Sequence, residues 1–199
     1  MKISALILAA GESKRMGEKH KLLLPFAGKT IVECTVDAIL QANVEEVIVV
    51  LGHEAEAVRQ VLGNRAINVV YNADYRSGMA SSIHAGLAAV SPSAAAVMIA
   101  LADQPLIQPA ELNLLIGAFS QAENKTIAMP AFNGQRGNPV IFDWRYRDEM
   151  LKLKGDVGGK SILARHPDAV LEVEMPARNI LEDVDTAEGY ARMIDPGKK

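Results

Sequence analysis

The chain has little cysteine and no long apolar run, and each shortage excludes a class of protein. Cys34 is the only cysteine among 199 residues, which excludes an intrachain disulfide framework and is typical of a reducing compartment. No apolar run approaches the roughly 20 residues that span a bilayer. Met1 and Lys2 lead directly into a predicted strand rather than an apolar leader, so we expect a cytoplasmic protein without a membrane partner.

An excess of positive charge is also missing. The chain has 21 Lys and Arg against 24 Asp and Glu, a formal net charge of -3, so it has no overall attraction for nucleic acid, and we expect no nucleic-acid partner. Any bound anion must be held by local positive charge. The four histidines are dispersed in the sequence and none has a partner at zinc-ligand spacing, which predicts no zinc site.

The first apolar run leads into a basic loop bounded by glycines. Residues 3–10 read ISALILAA, a buried-strand pattern that ends in small residues, where the backbone can approach a ligand closely. The spacing matches neither G-x-G-x-x-G nor a Walker A loop. A polyphosphate site of another kind is favoured over an ordinary turn, because exposed N–H groups, a hydroxyl and several cations suit phosphate oxygens. The residues that suit it are Gly11, Ser13, Lys14, Arg15, Gly17 and Lys21.

Strand and helix patterns alternate through the first half of the chain. They predict strands at 3–9, 46–51, 67–71 and 97–101 and helices at 29–41, 54–62 and 79–90. This alternation indicates an α/β fold: a single-domain, Rossmann-like three-layer sandwich with a mostly parallel sheet. Ligands bind at the carboxyl ends of such strands, so we expect the first loop, Gly52, Gly78 and Asp103 to meet there.

The second half has shorter predicted elements. Helices are expected at 109–119, 144–153 and 160–165, and strands at 127–130, 140–142 and 170–174. At this length one domain with a real core is sufficient. We therefore predict a single domain over 1–199, with a tail at 195–199.

Asp103 ends a continuous apolar strand, and this position favours a role at the ligand edge. Mg²⁺ is commonly held by one or two carboxylates together with substrate phosphates, so Asp103 is the first candidate metal ligand. The alternative is a helix N-cap, because Asp before Gln-Pro starts turns well. Residues 77–82 (SGMASS) join a loop to a helix, and their small side chains would let a base or ribose pack on the backbone; N-capping by Ser81 or Ser82 is compatible with that role.

The motif L-A-A-G-x-S-x-R-M-G-x(3)-K-L-L-L-P, which starts at Leu8, resembles the signature of the MobA-like nucleotidyltransferases, in particular the molybdenum cofactor cytidylyltransferases. Further blocks at 77–82, 101–105, 136–142, 155–158 and 183–186 are similar to blocks of that family and follow in its order. They cover nearly the whole chain. The resemblance implies the nucleotide-diphospho-sugar transferase type of fold.

The resemblance also implies roles for individual residues. Catalytic roles fall on Arg15, Lys21 and Asp103. Mg²⁺ would be held by Asp103 and Asp185, although Asp185 could instead cap the last helix and Asp183 could substitute for it. Nucleotide-binding positions are Leu8, Ala9, Ala10, Gly11, Ser13, Gly17, Gly52, Asn72, Gly78, Met79 and Ser82. Acceptor-binding positions are Arg136, Gly137, Asn138 and Asp156.

Three positions depart from the family pattern. His20 and Ala187 stand where relatives often have proline, and Asn138 stands where cytidylyltransferase relatives commonly have histidine. These differences affect the local loop shape and the recognition of the acceptor.

The function implied by the resemblance is Mg²⁺-dependent transfer of CMP from CTP to the phosphate of the molybdopterin-bound molybdenum cofactor, with release of pyrophosphate. The choice of CTP over GTP depends on Ala10. Residues 1–108 would bind the nucleotide and residues 109–194 the acceptor. A molybdenum hydroxylase or its chaperone would be the recipient partner. The alternatives are a guanylyl or other NTP transferase with a different phosphorylated acceptor, or a non-catalytic maturation factor.

Overall fold

The apolar run after Lys2 forms the central strand of the sheet, β1 (Ile3–Ala9). The computed structural model describes residues 1–13, 16 and 20–195. β1 pairs in parallel with β4 (Glu46–Leu51) on one side and with β6 (Ala96–Leu101) on the other. β5 (Asn68–Tyr71) extends the sheet in parallel beyond β4 and forms one edge.

The other side of the sheet reverses direction once. β9 (Val140–Asp143) is antiparallel to both β6 and β7 (Ile127–Phe132). β10 (Val170–Glu174) runs parallel to β7 and forms the other edge, and the short β8 (Gln135–Arg136) pairs with β7. Within the described ranges the order is therefore β10-β7-β9-β6-β1-β4-β5. The small hairpin of β2 (Pro25–Phe26) and β3 (Lys29–Thr30) lies apart from this sheet.

Helices cover both faces of the sheet. One face packs against α1 (Ile31–Leu40), α2 (Ala55–Leu62) and α4 (Pro109–Gln121). The opposite face packs against α3 (Met79–Leu87), α5 (Arg147–Met150) and α6 (Lys160–Arg165). The last helix, α7, spans Ala187–Ile194. The predicted α/β class with a mostly parallel sheet and three layers is confirmed.

Side chains of β1 contribute alternately to the hydrophobic clusters on the two faces of the sheet. Ile3, Ala5 and Ile7 belong to the cluster that includes α1, whereas Leu6 belongs to the cluster that includes α3. These side chains are at most 1% exposed, as expected of a central strand between two helical layers. In the described ranges no helix is both long and apolar enough to cross a membrane.

Several predicted boundaries shift for local reasons. The helix predicted over 29–41 begins at Ile31, because Lys29 and Thr30 pair in the hairpin and Thr30 forms a capping box with Glu33. The single helix predicted over 144–153 is wrong. A 3₁₀ turn at Trp144–Tyr146 precedes the four-residue α5 there, because Asp143 accepts a hydrogen bond from the Arg145 amide and starts the turn.

Candidate active site

A cavity of about 630 Å³ lies at the carboxyl ends of the central strands. Its volume is within the range of ligand pockets in proteins, roughly 300–1,000 Å³. The wall combines the segment that leaves β1, the start of α3, the end of β6 and two later segments of the chain. Twelve of the residues predicted for the site line it: Leu8, Ala9, Ala10, Gly11, Ser13, Lys21, Gly78, Met79, Ser82, Asp103, Asp156 and Asp185.

Other predicted positions lie elsewhere. Lys14, Arg15 and Gly17, like the tail beyond Asp195, lie outside the described residues. Five predicted positions are absent from the cavity wall: Gly52, Asn72, Arg136, Gly137 and Asn138.

Lys21 lies between two carboxylates at the base of the site. It begins a 3₁₀ turn, Lys21–Leu23, and its ammonium donates to Asp103 Oδ2 and to Asp185 Oδ1, the latter at 3.2 Å. The three side chains are largely buried. Burial alone lowers the pKa of Lys21, but the charges and hydrogen bonds of Asp103 and Asp185 outweigh it and raise the pKa above its usual value. Lys21 is therefore a fixed cation.

The two carboxylate oxygens of Asp103 differ in their surroundings. Its Oδ2 accepts from Lys21, whereas Oδ1 is buried and has no hydrogen-bond partner among the described residues. Such a buried, unpartnered oxygen is costly unless a ligand satisfies it. The neighbouring Asp183 also lines the cavity, and burial, with the charges of Asp185 and Asp103, raises the pKa of its carboxyl. Asp185, rather than Asp183, forms the ion pair with Lys21.

The start of α3 is held by the segment at 155–158. The amide of Ala80 donates to the carbonyl of Gly155 at 3.0 Å, and the amide of Met79 donates to Asp156 Oδ1 at 3.3 Å. Gly78 has φ +107°, which L side chains rarely adopt. Residues 77–82 and 155–158, far apart in sequence, therefore form one continuous wall.

Asn72 and Gly52 support this wall from behind. Asn72 is buried, and its amide nitrogen donates to Ser81 Oγ at 2.9 Å and Ser82 Oγ at 3.0 Å. A Cβ on Gly52 would lie 2.7 Å from the Cβ of Tyr75. Both residues therefore shape the lining without belonging to it.

The block at 136–138 contacts protein rather than the cavity. Arg136 forms an exposed ion pair with Glu172 across the edge of the sheet. Gly137 packs against Ile180, and the amide of Asn138 donates to the Ile180 carbonyl at 3.2 Å.

Several residues line the cavity that were not predicted from the sequence: Glu12, Leu22, Tyr75, Arg76, Leu101 and Lys160. Arg76 pairs with Glu12 at 3.3 Å and lies over the ring of Tyr75. Lys160 forms no ion pair with any residue in the described part of the chain. Its position directly after the glycine-rich 155–159 stretch was the signal that could have identified it.

A nucleotide-sized cleft at the carboxyl edge of a mostly parallel sheet, with a lysine between two carboxylates, is typical of the nucleotide-diphospho-sugar transferase class of α/β folds. Solved structures agree. Rv0371c from Mycobacterium tuberculosis superposes with a TM-score of 0.86 at 31% identity, covering 98% of both chains. A nucleotidyl transferase from Methanothermobacter superposes with a TM-score of 0.85 at 28% identity, covering 98% of this chain and 97% of that one.

The sequence comparison identifies the family. The model of the MobA-like NTP transferase domain matches residues 5–170, and the chain belongs to that family, whose class of activity is nucleotidyl transfer. One relative that matches over nearly its full length is named as an oxidoreductase and not as a transferase. This protein, "Nicotine blue oxidoreductase" of Paenarthrobacter nicotinovorans, is 32% identical over 96% of both chains. Rv0371c has also been crystallised in complex with manganese.

Proposed function

We propose that the protein transfers CMP from CTP to the phosphate of the molybdopterin-bound molybdenum cofactor and releases pyrophosphate, with Mg²⁺ as the metal. The observation that carries the transferase chemistry is the placement of Lys21 between Asp103 and Asp185 in a cleft of nucleotide size. The choice of CTP and of this acceptor is supported by the L-A-A-G motif and by the blocks at 136–142 and 155–158. We place the reaction in the cytoplasm, with a molybdenum hydroxylase or its chaperone as recipient.

The residues present fit a divalent metal. Asp103 Oδ1 is buried, unpartnered within the described ranges and part of a cavity-lining carboxylate, and carboxylate oxygens are the ligands that Mg²⁺ prefers. Asp103 and Asp185 would hold the ion. When bound, it would neutralise the charge between the acceptor phosphate and the α-phosphate of the nucleotide.

The nucleotide is held by the first half of the chain in this proposal. Lys21, with Arg15, stabilises the negative charge of the departing pyrophosphate, since positioning and charge neutralisation carry catalysis of this kind. The backbone of the first loop binds the phosphates, and the start of α3 packs against base and ribose. The contributing residues are Leu8, Ala9, Ala10, Gly11, Ser13, Gly17, Gly78, Met79 and Ser82, with Gly52 and Asn72 behind them.

The acceptor is held by the second half. Asp156 lies in the cavity wall beside Met79, and Lys160 follows on the same wall. Lys160 offers a positive charge for the acceptor's phosphate. Arg136, Gly137 and Asn138 act on the acceptor through the segment that they support. No covalent enzyme intermediate is required.

Base selectivity is assigned to Ala10. It lines the cavity, is 4% exposed and packs in the core cluster on the α3 side of the sheet. A methyl group at this position narrows the site and crowds a purine more than a pyrimidine, a difference worth about one to two orders of magnitude at most.

An oxidoreductase that binds a nucleotide-containing cofactor in the same cleft is the second candidate. The observation that favours it is the full-length identity to the protein named nicotine blue oxidoreductase. Carboxylates around a lysine have no evident part in hydride transfer, and for this reason we prefer the transferase. Oxidation of NADH or NADPH by a quinone-like dye, followed by the absorbance of the reduced nicotinamide, measures this activity directly.

The decisive experiment is calorimetric titration with CTP and GTP, each with and without Mg²⁺. We expect Mg²⁺-dependent binding that prefers CTP, is lost in Asp103→Asn and is retained in Asp148→Asn, whose side chain is 82% exposed. Preference for GTP would assign the chain to guanylyl transfer. Binding that does not depend on Mg²⁺ or Asp103 would contradict the transferase mechanism and favour the oxidoreductase or a maturation factor.

A further inference from the structure

We propose that Gln104 is a positioning residue that holds Asp185 at the metal site through residues 178–185, which we call the C-terminal strap. This inference rests on the proposed function, because it concerns how the second carboxylate reaches the metal. Gln104 is 2% exposed and does not line the cavity. Any effect of Gln104 on the site must therefore be indirect.

The segment that follows β6 holds the strap at two points. Gln104 Nε2 donates to the carbonyl oxygen of Ile180 at 3.1 Å. The amide nitrogen of Val184 donates to the carbonyl oxygen of Asp103 at 3.0 Å. One carboxylate of the site, Asp103, thus belongs to the segment that holds the strap, and the other, Asp185, directly follows the second point of attachment. One backbone hydrogen bond therefore links the two segments that carry the carboxylates.

The block at 136–138 contacts the same point of the strap. The Ile180 carbonyl accepts a second hydrogen bond from the amide of Asn138 at 3.2 Å. Gly137 lies so close that a Cβ there would be 2.4 Å from the Ile180 oxygen. This contact gives a physical reason for glycine at 137, a position for which the family resemblance implied acceptor binding.

Apolar packing alone does not fix the strap along its length. The side chains of Ile180 and Val184 are buried in the core cluster that includes α1, and they hold the strap against the domain. Apolar contacts are non-directional, whereas hydrogen bonds to the Ile180 carbonyl set its register. Removal of the Gln104 amide leaves a buried carbonyl with one donor fewer, and we expect the strap to shift at Asp185.

The test measures metal affinity directly. The full chain is titrated with Mn²⁺, and free Mn²⁺ is followed by electron paramagnetic resonance. Gln104→Met removes the amide at similar volume, and we expect the Mn²⁺ dissociation constant to rise about tenfold, as for other residues that orient metal ligands. CTP affinity at saturating Mn²⁺ should stay unchanged. Ser4→Ala is the matched control, because Ser4 is equally buried and loses a 2.6 Å hydrogen bond to Glu46 at the start of β1.

Three further variants make the test complete. Asp103→Asn and Asp185→Asn should lose Mn²⁺ binding. Gly137→Ala tests the strap itself if Gln104→Met does not fold, since its Cβ would displace the Ile180 carbonyl. We expect its Mn²⁺ dissociation constant to rise as well.

The outcomes separate this inference from the proposed function. Wild-type Mn²⁺ affinity in Gln104→Met, with loss in the aspartate variants, overturns the positioning role and leaves the metal site intact. Equal weakening in Gln104→Met and Ser4→Ala also overturns it, because the effect is then general loosening. No Mn²⁺ binding by the wild type, or unchanged binding in the aspartate variants, overturns the metal site and the positioning role together.

Discussion

The backbone of Gly155 fills the space that a side chain on Gly78 would need. A Cβ on Gly78 would lie 2.3 Å from the Gly155 carbonyl carbon and 2.7 Å from the Asp156 amide nitrogen. Both neighbours are backbone atoms, which cannot rotate away. The contact therefore ties the segment that carries Asp156 and Lys160 to the start of α3.

Gly78→Ala tests this contact. The clash, together with a φ of +107°, should destabilise the protein by about 2–4 kcal/mol or displace the 155–158 segment. Urea denaturation and CTP affinity measure the two effects. Gly117→Ala is the control: its Cβ meets no atom of the described residues within 4 Å, and in the middle of α4 it should stabilise by about 0.5–1 kcal/mol. Wild-type stability and CTP affinity in Gly78→Ala would contradict the close contact.

Lys21→Met removes the charge that Asp103 and Asp185 share. We expect kcat to fall by roughly 10²–10³, as when a preorganised group that stabilises transition-state charge is removed. Steady-state kinetics with CTP and acceptor measure it. Lys29→Met removes a lysine whose ion pair with Asp37 is exposed and remote from the cavity wall, and its kcat should equal that of the wild type. Equal kcat in both variants would remove Lys21 from the mechanism.

Lys160→Ala should raise the KM for the acceptor about tenfold, the loss of one charge-assisted hydrogen bond, with little change in kcat or in the KM for CTP. The reason is its place in the cavity wall without an ion-pair partner among the described residues. Lys154→Ala, an exposed lysine outside the wall, should leave all three parameters unchanged. A rise in the KM for CTP alone would move Lys160 to the nucleotide side.

Asp37 should make the folded protein less stable in acid. Its hydrogen bonds to Arg65 hold the pKa of the Asp37 carboxyl below the usual value, against the opposing effect of burial and with further help from Lys29. The unfolded chain therefore binds the proton at higher pH than the folded chain, so this stabilisation is complete near neutral pH and is lost as the pH falls below about 5.

Urea midpoints measured between neutral pH and pH 3 check this expectation. Asp37→Asn lacks the titrating group and should lose less stability over that range than the wild type, although it starts lower. Asp148→Asn, with its side chain 82% exposed, should follow the wild-type curve. Parallel curves for the wild type and Asp37→Asn would exclude Asp37 as a source of the acid sensitivity.

Regular elements were predictable because burial leaves a periodic pattern. The bounds of β1, β4 and α6 match their predictions at both ends. Local competition explains the shifted start of α1, where Lys29 and Thr30 pair in a hairpin and Thr30 caps the helix. The strap around Ile180 left no periodic signal, since its conformation is set by hydrogen bonds to Gln104 and Asn138.

For the site, the apolar strand before Asp103 placed this carboxylate at the ligand edge of the sheet, where the structure has it. The same reasoning could not find Tyr75 or Arg76, because they reach the cavity from a 3₁₀ turn, Tyr75–Ser77. Those positions depend on how the loop packs against the rest of the fold, and such packing leaves no periodic pattern in a single sequence.

The central ion pairs join three distant parts of the chain. Lys21 lies 82 residues before Asp103 and 164 residues before Asp185. Such non-local contacts are entropically costly to form, because each one closes a long loop. The complete set of charges therefore exists only when all three segments have reached their places in the fold. Nucleotide binding then depends on the folding of the whole domain.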